Sequence, residues 1–454
     1  MKLLEELLVK PLGGILRIVA GEELMHLPSA LAVKDGQVVL SVVVDCDSPL
    51  YPTFNPGMAI SEGNGFLQTL QLGETALFES RLGPISLVQM GKPVALSHNL
   101  GMPVEVEFRP RLAFLGDVLG RKWRHPAAVQ IEIAGLADWM HDSFVTRSVF
   151  TERGEQNDDQ SEILIRMRDY NRKLFELQQS DLLLAVESEL EPEHERETDV
   201  VALKFHSTVS LALPSKTTWY EALENLRSFQ ELIQLLSWKP VKGHRLRAKI
   251  TKSERESDGE IPHWMQVLSR EFPFHRPVSA MGDHLDFILP FKSLTGEMID
   301  RWYLIRDRHS AAMRHFLSVL QTTEMSPEVR SLQLGAGFEI LGSQLSQTDN
   351  LVEDGFKGAV RYFLRVGSHA RFLFPDQFDG WAIDANKNYQ SMKHLNRSRP
   401  TIGALARNND LSTLAFQIWL ARELGAEDDE IIRYARSTSR LGSEYVKLPD
   451  PSSL

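Results

Sequence analysis

Asp376-Gln-Phe-Asp-Gly-Trp-Ala-Ile-Asp-Ala-Asn-Lys-Asn-Tyr-Gln-Ser-Met-Lys-His394, continued by Leu395-Asn-Arg-Ser-Arg-Pro400, is the stretch that decides how the chain reads. At 100° per residue, Phe378, Trp381, Ala382, Ala385, Tyr389 and Met392 fall on one stripe, the stripe that a helix buries. The opposite sector carries Asp384, Lys387, Ser391 and His394, with Asn388 at its edge. Lys387 and His394 lie about 10 Å apart along the axis and on the same side of such a helix. Imidazole is the side chain that changes charge near neutral pH, and a neighbouring cation can hold a phosphate for it to act on. A solvated polar face is the plainer reading of the same residues.

Outward from this stretch, the sequence from Phe291 onward has helical periods with Gly or Pro only at the joints. One helix is expected over Met298–Gln321. A second runs from a Ser326-Pro327-Glu328 start, the favoured order of cap, proline and acid, to about Ser346. Phe356–His369 reads as a third, Asp376–Leu395 as a fourth, Asp410–Leu424 stopped by Gly425 as a fifth, and Asp428–Ser437 as a short sixth. Helices with such short joints make a bundle.

Before Phe291 the texture is strand-like. Runs at 15–20, 30–33, 38–44, 66–72, 76–82, 85–90, 104–108 and 128–133 are separated by turn signals such as Lys34-Asp35-Gly36, Asn55-Pro56-Gly57 and Gly83-Pro84. Further runs follow at 144–150, 162–167, 182–186, 200–213, 245–250 and 264–268, and 286–289 is a short candidate. Glu187–Asp199 is strongly acidic and reads as a solvated loop, as does the charged segment Ser253–Glu260. Trp219–Trp238 stands out as a helix, with Trp219, Leu223, Leu226, Phe229, Ile233 and Leu236 on one side, capped by Thr217 or Thr218 and lying across the strands. The expected architecture is therefore α+β: a β-rich, sandwich-like region over 1–291, with a possible break near 140–160, and an all-α bundle over 292–454.

Composition bounds the function. The chain of 454 residues is 43% hydrophobic and 24% charged, enough for two or three cores. A formal net charge of -11 excludes a surface coated for nucleic acid, so nucleic-acid contact would need a local basic patch. Lys387, Lys393, Arg397, Arg399 and Arg407 form such a run without an acid between them, and cations complementing a helix C-terminus are its plain alternative. Cys46 is the only cysteine, which rules out an internal disulfide framework and Cys-based zinc sites and fits a reducing, cytoplasmic setting. Glu5 and Glu6 interrupt the apolar start, so no signal peptide is expected. No uncharged run approaches the roughly 20 apolar residues of a membrane span, so a soluble protein with no membrane partner is expected. Phosphate-binding Gly-x4-Gly-Lys loops, Gly-x-Ser-x-Gly elbows and His-Glu-x2-His helices do not occur, which sets aside nucleotide hydrolysis, serine-esterase and zincin chemistry.

The helical half resembles a HEPN domain, and the β-rich half resembles the N-terminal domain of ApeA-type HEPN proteins, an anti-phage defence family. The matching pieces are Leu332-Gln-Leu-Gly-Ala-Gly-Phe-Glu339-Ile-Leu, Gly355-Phe-Lys-Gly-Ala-Val-Arg361, the run from Lys387-Asn388 to His394, and Leu411–Ile432 with its Glu423-Leu-Gly-Ala-Glu turn. In the β-rich half they are strand order, Ala137-Asp-Trp139 and the Trp219–Pro240 helix.

The resemblance implies a metal-independent endoribonuclease with no cofactor, acting as a homodimer whose two motifs, Arg-x(4 to 6)-His in the family, meet in one composite site. His394 would move the proton as a ribose 2'-OH attacks the neighbouring phosphorus, and the cation would stabilise the phosphoryl oxygens. A 2',3'-cyclic phosphate and a 5'-OH follow, and RNA is the substrate because the nucleophile is the 2'-OH. Asn388 would orient the histidine or a phosphate. Glu339 would be the bundle acid near the motif. Asp384 and Ser391 support the site from the polar face, and Lys393, Arg397 and Arg399 would track RNA. The β-rich region would sense a phage-derived trigger or an operon partner.

Lys387 stands where the family has arginine, so a point charge on a mobile stem replaces a planar fork. The competing expectation is a catalytically degenerate sensor or scaffold that binds RNA or a partner and dimerises through the bundle. A third is a ligand-binding β-sandwich with an unrelated helical tail. Arg270-x4-His275 and Arg308-x6-His315 match the literal motif as well, but without its asparagine or its place in the bundle, and a chain this long shows a couple of such matches by chance.

Overall fold

The structure, a computed structural model, describes residues 2–20, 23–45, 47, 75–91, 94–95, 103–116, 124–133, 135–140, 145–151, 161–167, 170–195, 200–250, 264–272, 287–322, 324–348, 360–371, 378–394 and 396–437. The strands expected at 66–72 and the charged segment 253–260 lie outside these residues, as do Cys46, His275 and 355–359.

In chain order the elements are α1 (Lys2–Val9), β1 (Leu12–Ala20), β2 (Glu23–Lys34), β3 (Gln37–Val44), β4 (Thr75–Ser80), β5 (Gly83–Val88), β6 (Val94–Ala95), β7 (Val104–Phe108), β8 (Leu112–Leu115) and β9 (Pro126–Ile133). Then come α2 (Leu136–Met140), β10 (Val145–Thr151), β11 (Ser161–Met167), β12 (Tyr170–Leu177), β13 (Leu182–Glu195), β14 (Val200–Ala212), α3 (Trp219–Ser237), β15 (Gly243–Ile250) and β16 (Met265–Ser269). The helical remainder is α4 (Gly296–Arg308), α5 (Ser310–Gln321), α6 (Pro327–Thr348), α7 (Val360–Gly367), α8 (Phe378–Lys393), α9 (Ile402–Leu424) and α10 (Asp428–Ser437). The fold is α+β, a large antiparallel sheet region followed by helices.

Two compact units share the chain: Met1–Glu132, Thr208–Glu224 and Gly243–Ala280 form the first, and Ile133–Ser207, Asn225–Lys242 and Met281–Leu454 the second. The change of texture near 292 falls inside the second unit, so packing and texture divide the chain differently.

In the first unit the strands run in the order β9-β15-β16-β8-β5-β4-β1-β2-β3-β7-β6. The β2–β3 hairpin turns on Asp35 and Gly36, both at positive φ, the conformation that matches a two-residue turn to strand twist. Alternation sends Leu16, Ile18, Leu31, Leu40, Val42, Phe78, Ile85 and Val106 into a core that Leu4 and Leu7 of α1 also join. Strand β8 escapes the sequence reading because Leu112–Leu115 is four residues long and apolar on both faces, which carries no period.

In the second unit β10 pairs with β11 and β12 with β13, both antiparallel. Here the expected acidic loop is corrected: β13 continues to Glu195, through most of the acidic run. The reason is the period-2 pattern hidden under the charge. Glu187 pairs with Arg172 at 2.8 Å, while the next residue, Ser188, turns inward and shares a 2.9 Å hydrogen bond with Ser207 of β14. The expected short strand at 286–289 is also corrected; its described residues, 287–289, form bends, held where Trp139 stacks on Phe287 and donates Nε1–H to the Leu289 carbonyl at 2.7 Å.

The single helix expected over Met298–Gln321 is two helices, α4 and α5, broken at His309 (φ -111°, ψ 27°). The break aims the His309 ring into the core, edge-on to Trp419 and 2.8 Å from the Gln344 amide oxygen. The helix read over Trp219–Trp238 is α3. A capping box starts it: the Thr218 amide donates to the Glu221 carboxylate, and the Glu221 amide donates to the Thr218 hydroxyl. Trp219–Glu224 belongs to the first unit and the rest of the helix to the second. There Trp302 donates to the Ser228 carbonyl at 2.7 Å, and Gln417 donates to the carbonyls of Leu235 and Leu236.

Helix α9 is the spine of the bundle, buried along nearly all its length from Leu405 to Leu424. Around it Phe316 stacks on Phe416, Phe338 on Phe363, and Phe338 meets Trp381 edge-on. The sequence reading began this helix at Asp410, two turns late. Thr401 caps it by accepting from the Ala404 amide, and Gly403 early in the helix disguised the start.

Candidate functional site: the exposed face of α8 and its groove

Helix α8 buries the expected stripe except at its last member, Met392, which is half-buried. Phe378, Trp381, Ala382, Ala385 and Tyr389 are all at most 4% exposed, worth roughly 1.5–3 kcal/mol for each large side chain. Two glycines of the Leu332–Glu339 segment explain how closely α6 approaches. A Cβ on Gly335 would lie 2.2 Å from the Tyr389 ring, and one on Gly337 would lie 2.8 Å from the Phe316 ring. Gly335 therefore sets how closely α8 packs on α6, and Gly337 how closely α5 does.

Of the sequence-chosen residues, Asp384, Lys387, Lys393 and His394 are exposed on α8 or at its end, with Arg397 and Arg399 exposed in the connection that follows. His394 extends the helix by one residue, its amide donating to Gln390, and its carbonyl receives the Arg397 amide, which turns the chain back toward α9. Two placements are corrected. Ser391, expected on the open polar face, is 3% exposed and donates to the Asn388 carbonyl at 2.7 Å; Asn388, expected at the sector's edge, is 5% exposed. Asn388 lies where α9 and the segment Ser398–Pro400 meet that flank of the helix.

Glu339 of α6 accepts from the Tyr389 hydroxyl at 2.5 Å and from Lys393 at 3.3 Å, while Lys393 also donates to the Tyr389 oxygen at 3.2 Å. This three-way contact raises the Lys393 pKa, chiefly through its bond to Tyr389. Burial and the Glu339 bond raise that of the Tyr389 phenol. Glu339 thus anchors Lys393 and Tyr389 and, within one copy, acts on α8's position.

Lys387 opens onto a groove of about 500 Å³ between α8, the segment Ser398–Pro400 and α9. Arg399, Arg407 and Lys387 line it together with Asp384, and the carboxamides of Asn388 and Asn408 and the indole of Trp381 contribute to its wall. A polar chain runs through that wall: Trp381 Nε1–H donates to Ser412 Oγ at 3.2 Å, and Ser412 donates to Asn408 Oδ1 at 3.4 Å. His394 does not line the groove. Sequence reading counted Arg407 only as part of a basic run and passed over Asn408. The signal that could have found them is the Pro400-Thr401 helix start, which puts both residues inside α9 and facing back to α8.

The other two motif matches resolve differently. Arg308 ends α4 and His315 lies on α5, so that pair does not share a helix, and the His315 ring is 2.8 Å from the Gln333 amide oxygen. Arg270 follows β16, and its would-be partner lies outside the described residues.

Residues 77–302 match the family model described as ApeA N-terminal domain 1, half of the chain to within a residue or so and spanning strands and the start of the bundle. By that match the chain belongs to the ApeA-like family. It points to an ApeA-type anti-phage defence protein. No curated protein and no solved structure matches the chain. Among the described residues, no helix is long and apolar enough to cross a membrane.

Proposed function

We propose that the chain is a HEPN-type, metal-independent endoribonuclease effector of ApeA-type defence, with His394 as the proton-transfer group and Lys387 as the cation on the phosphate. The observation that carries this reading is the presentation of both side chains. Each is exposed on α8 or at its end, seven residues apart, while Asn388 and Ser391 are buried and Lys393 is tied to Glu339.

His394 takes the proton of the ribose 2'-OH and later returns one to the leaving 5'-oxygen. Lys387, with Arg399 and Arg407 beside it in the groove, stabilises the charge that grows on the phosphoryl oxygens. Because two helical turns, about 10 Å, separate His394 from Lys387 along the axis, one copy leaves its imidazole outside its own cationic groove. A homodimer with the ends of α8 apposed brings the imidazole of one copy to the groove of the other. The domain matched over 77–302 then serves as the sensor that releases or assembles that site. The cytoplasm, where both RNA and an invading phage genome are met, is the setting this reading requires.

A second reading, a degenerate scaffold that dimerises and binds RNA or a partner without cutting, draws support from lysine at 387 and from the engagement of Lys393 by Glu339. Cleavage of a mixed RNA pool in EDTA separates the two. The nuclease reading expects fragments ending in 2',3'-cyclic phosphate from the native chain, none from His394→Ala, and faster cutting by Lys387→Arg. An intact pool with native chain and Lys387→Arg alike selects the scaffold.

A further inference from the structure

The groove between α8 and α9 has more equipment than a scissile phosphate needs. It sets three cationic side chains, Lys387, Arg399 and Arg407, around one opening and faces them with a carboxylate, Asp384. Two asparagines in its lining are almost entirely buried, Asn388 at 5% and Asn408 at 8% exposed. Asn408 receives Ser412 on its oxygen, which leaves its NH2 group directed elsewhere. A volume of about 500 Å³ is in the range of small-ligand pockets and too large for a lone anion.

The geometry points to a nucleoside-phosphate site in this groove. The phosphate lies on the guanidinium groups of Arg399 and Arg407, which can grip it in the forked way that Lys387 cannot. The two carboxamides take the edge of the base, each offering a donor pair and an acceptor in one plane, the pattern by which asparagine recognises a nucleobase. Asp384 accepts from a ribose hydroxyl, or from a base amino group, at the groove's rim. The net charge of -11 leaves little nonspecific attraction for a polyanion elsewhere, so a nucleotide that binds here does so through this local set. The site rests on the proposed function in taking these cations as the phosphate-holding groups, but His394 lies outside the lining of its own copy's groove, so binding is read separately from cleavage. The same chemistry is offered by a free nucleotide and by one nucleotide of an RNA strand.

Isothermal titration of the full chain with 5'-AMP, adenosine, inorganic phosphate and a short single-stranded RNA tests this. The expected order is 5'-AMP at least tenfold tighter than either adenosine or phosphate alone. Arg407→Ala and Arg399→Ala each weaken 5'-AMP by at least tenfold, and Arg407→Lys by less. Competition between the RNA and 5'-AMP marks a strand as the source; RNA that fails to displace 5'-AMP marks a free nucleotide. The inference is overturned if adenosine binds as well as 5'-AMP, if no nucleotide binds, or if the arginine variants bind like the native chain. Both arginines are exposed, and an unchanged melting temperature confirms that each variant folds. Should Arg407→Ala not fold, Arg399→Ala decides alone. Loss of RNA cleavage without loss of 5'-AMP binding would count against the nuclease and leave this site standing.

Discussion

The α4–α5 junction and the end of α8 contain the same spacing, Arg308-x6-His315 and Lys387-x6-His394, and put it to opposite ends. At the junction the helix breaks, Arg308 and His315 part company, and the intervening His309 is driven inward to Gln344 and Trp419. At the end of α8 the helix is continuous, and its cation and imidazole both face out. A spacing places two side chains on one face only if the backbone stays helical between them. Whether that face becomes chemistry depends on what covers it.

The contrast breaks most visibly under substitution of the histidines. His394→Ala is expected to lower RNA cleavage by about 10²- to 10⁴-fold, the usual worth of a proton-transfer group, with no change in melting temperature. His309→Ala should do the reverse, leaving cleavage per folded molecule intact while removing about 2 kcal/mol of stability, measured by urea unfolding, through the lost Gln344 bond and Trp419 contact. Between these in effect is Gly335→Ala, expected to cost about 3 kcal/mol because its Cβ would meet the Tyr389 ring. It should also lower cleavage by tilting α8, a link between core packing and site that neither histidine variant makes.

Protonation sharpens the same comparison. Burial lowers the pKa of His309, and burial with Arg422 and Arg365 nearby lowers that of His369, both from 6.5. A histidine whose folded pKa lies below its unfolded value binds fewer protons when folded, so its stabilisation is complete above about pH 6.5 and is lost as pH falls through the folded value. Unfolding followed from pH 8 to pH 5 should show stability declining below pH 6.5, with a shallower decline in His309→Gln. The smallest expected effect is that of Tyr389→Phe. It removes the hydroxyl shared by Glu339 and Lys393, costs about 1 kcal/mol, and leaves Lys393 held by Glu339 alone.

Much of this was legible in the sequence because periodicity is set by the backbone. The stripe from Phe378 to Tyr389, the side of α3 from Trp219 to Leu236 and the strands β3 and β7 emerged where the pattern placed them. What escaped was structure that depends on a partner far away in sequence. The break at His309 is held by Gln344 and Trp419, the strand under the acidic run by Ser207, and the flank at Asn388 by the return of the chain to α9. The groove is of the same kind. Lys387 was visible as a cation, but its companions Arg407 and Asn408 became neighbours only once Thr401 was seen to start a helix.

The most direct test of a site shared between two copies is complementation. Lys387→Ala and His394→Ala should each be inactive, and mixing them, with time for subunits to exchange, should restore about a quarter of native RNA cleavage, since half of the dimers hold one intact His394–Lys387 pairing of the two that symmetry provides. If the mixture stays as inactive as its components while mixed dimers demonstrably form, the imidazole of one copy does not serve the cation of the other, and the proposed composite site is wrong.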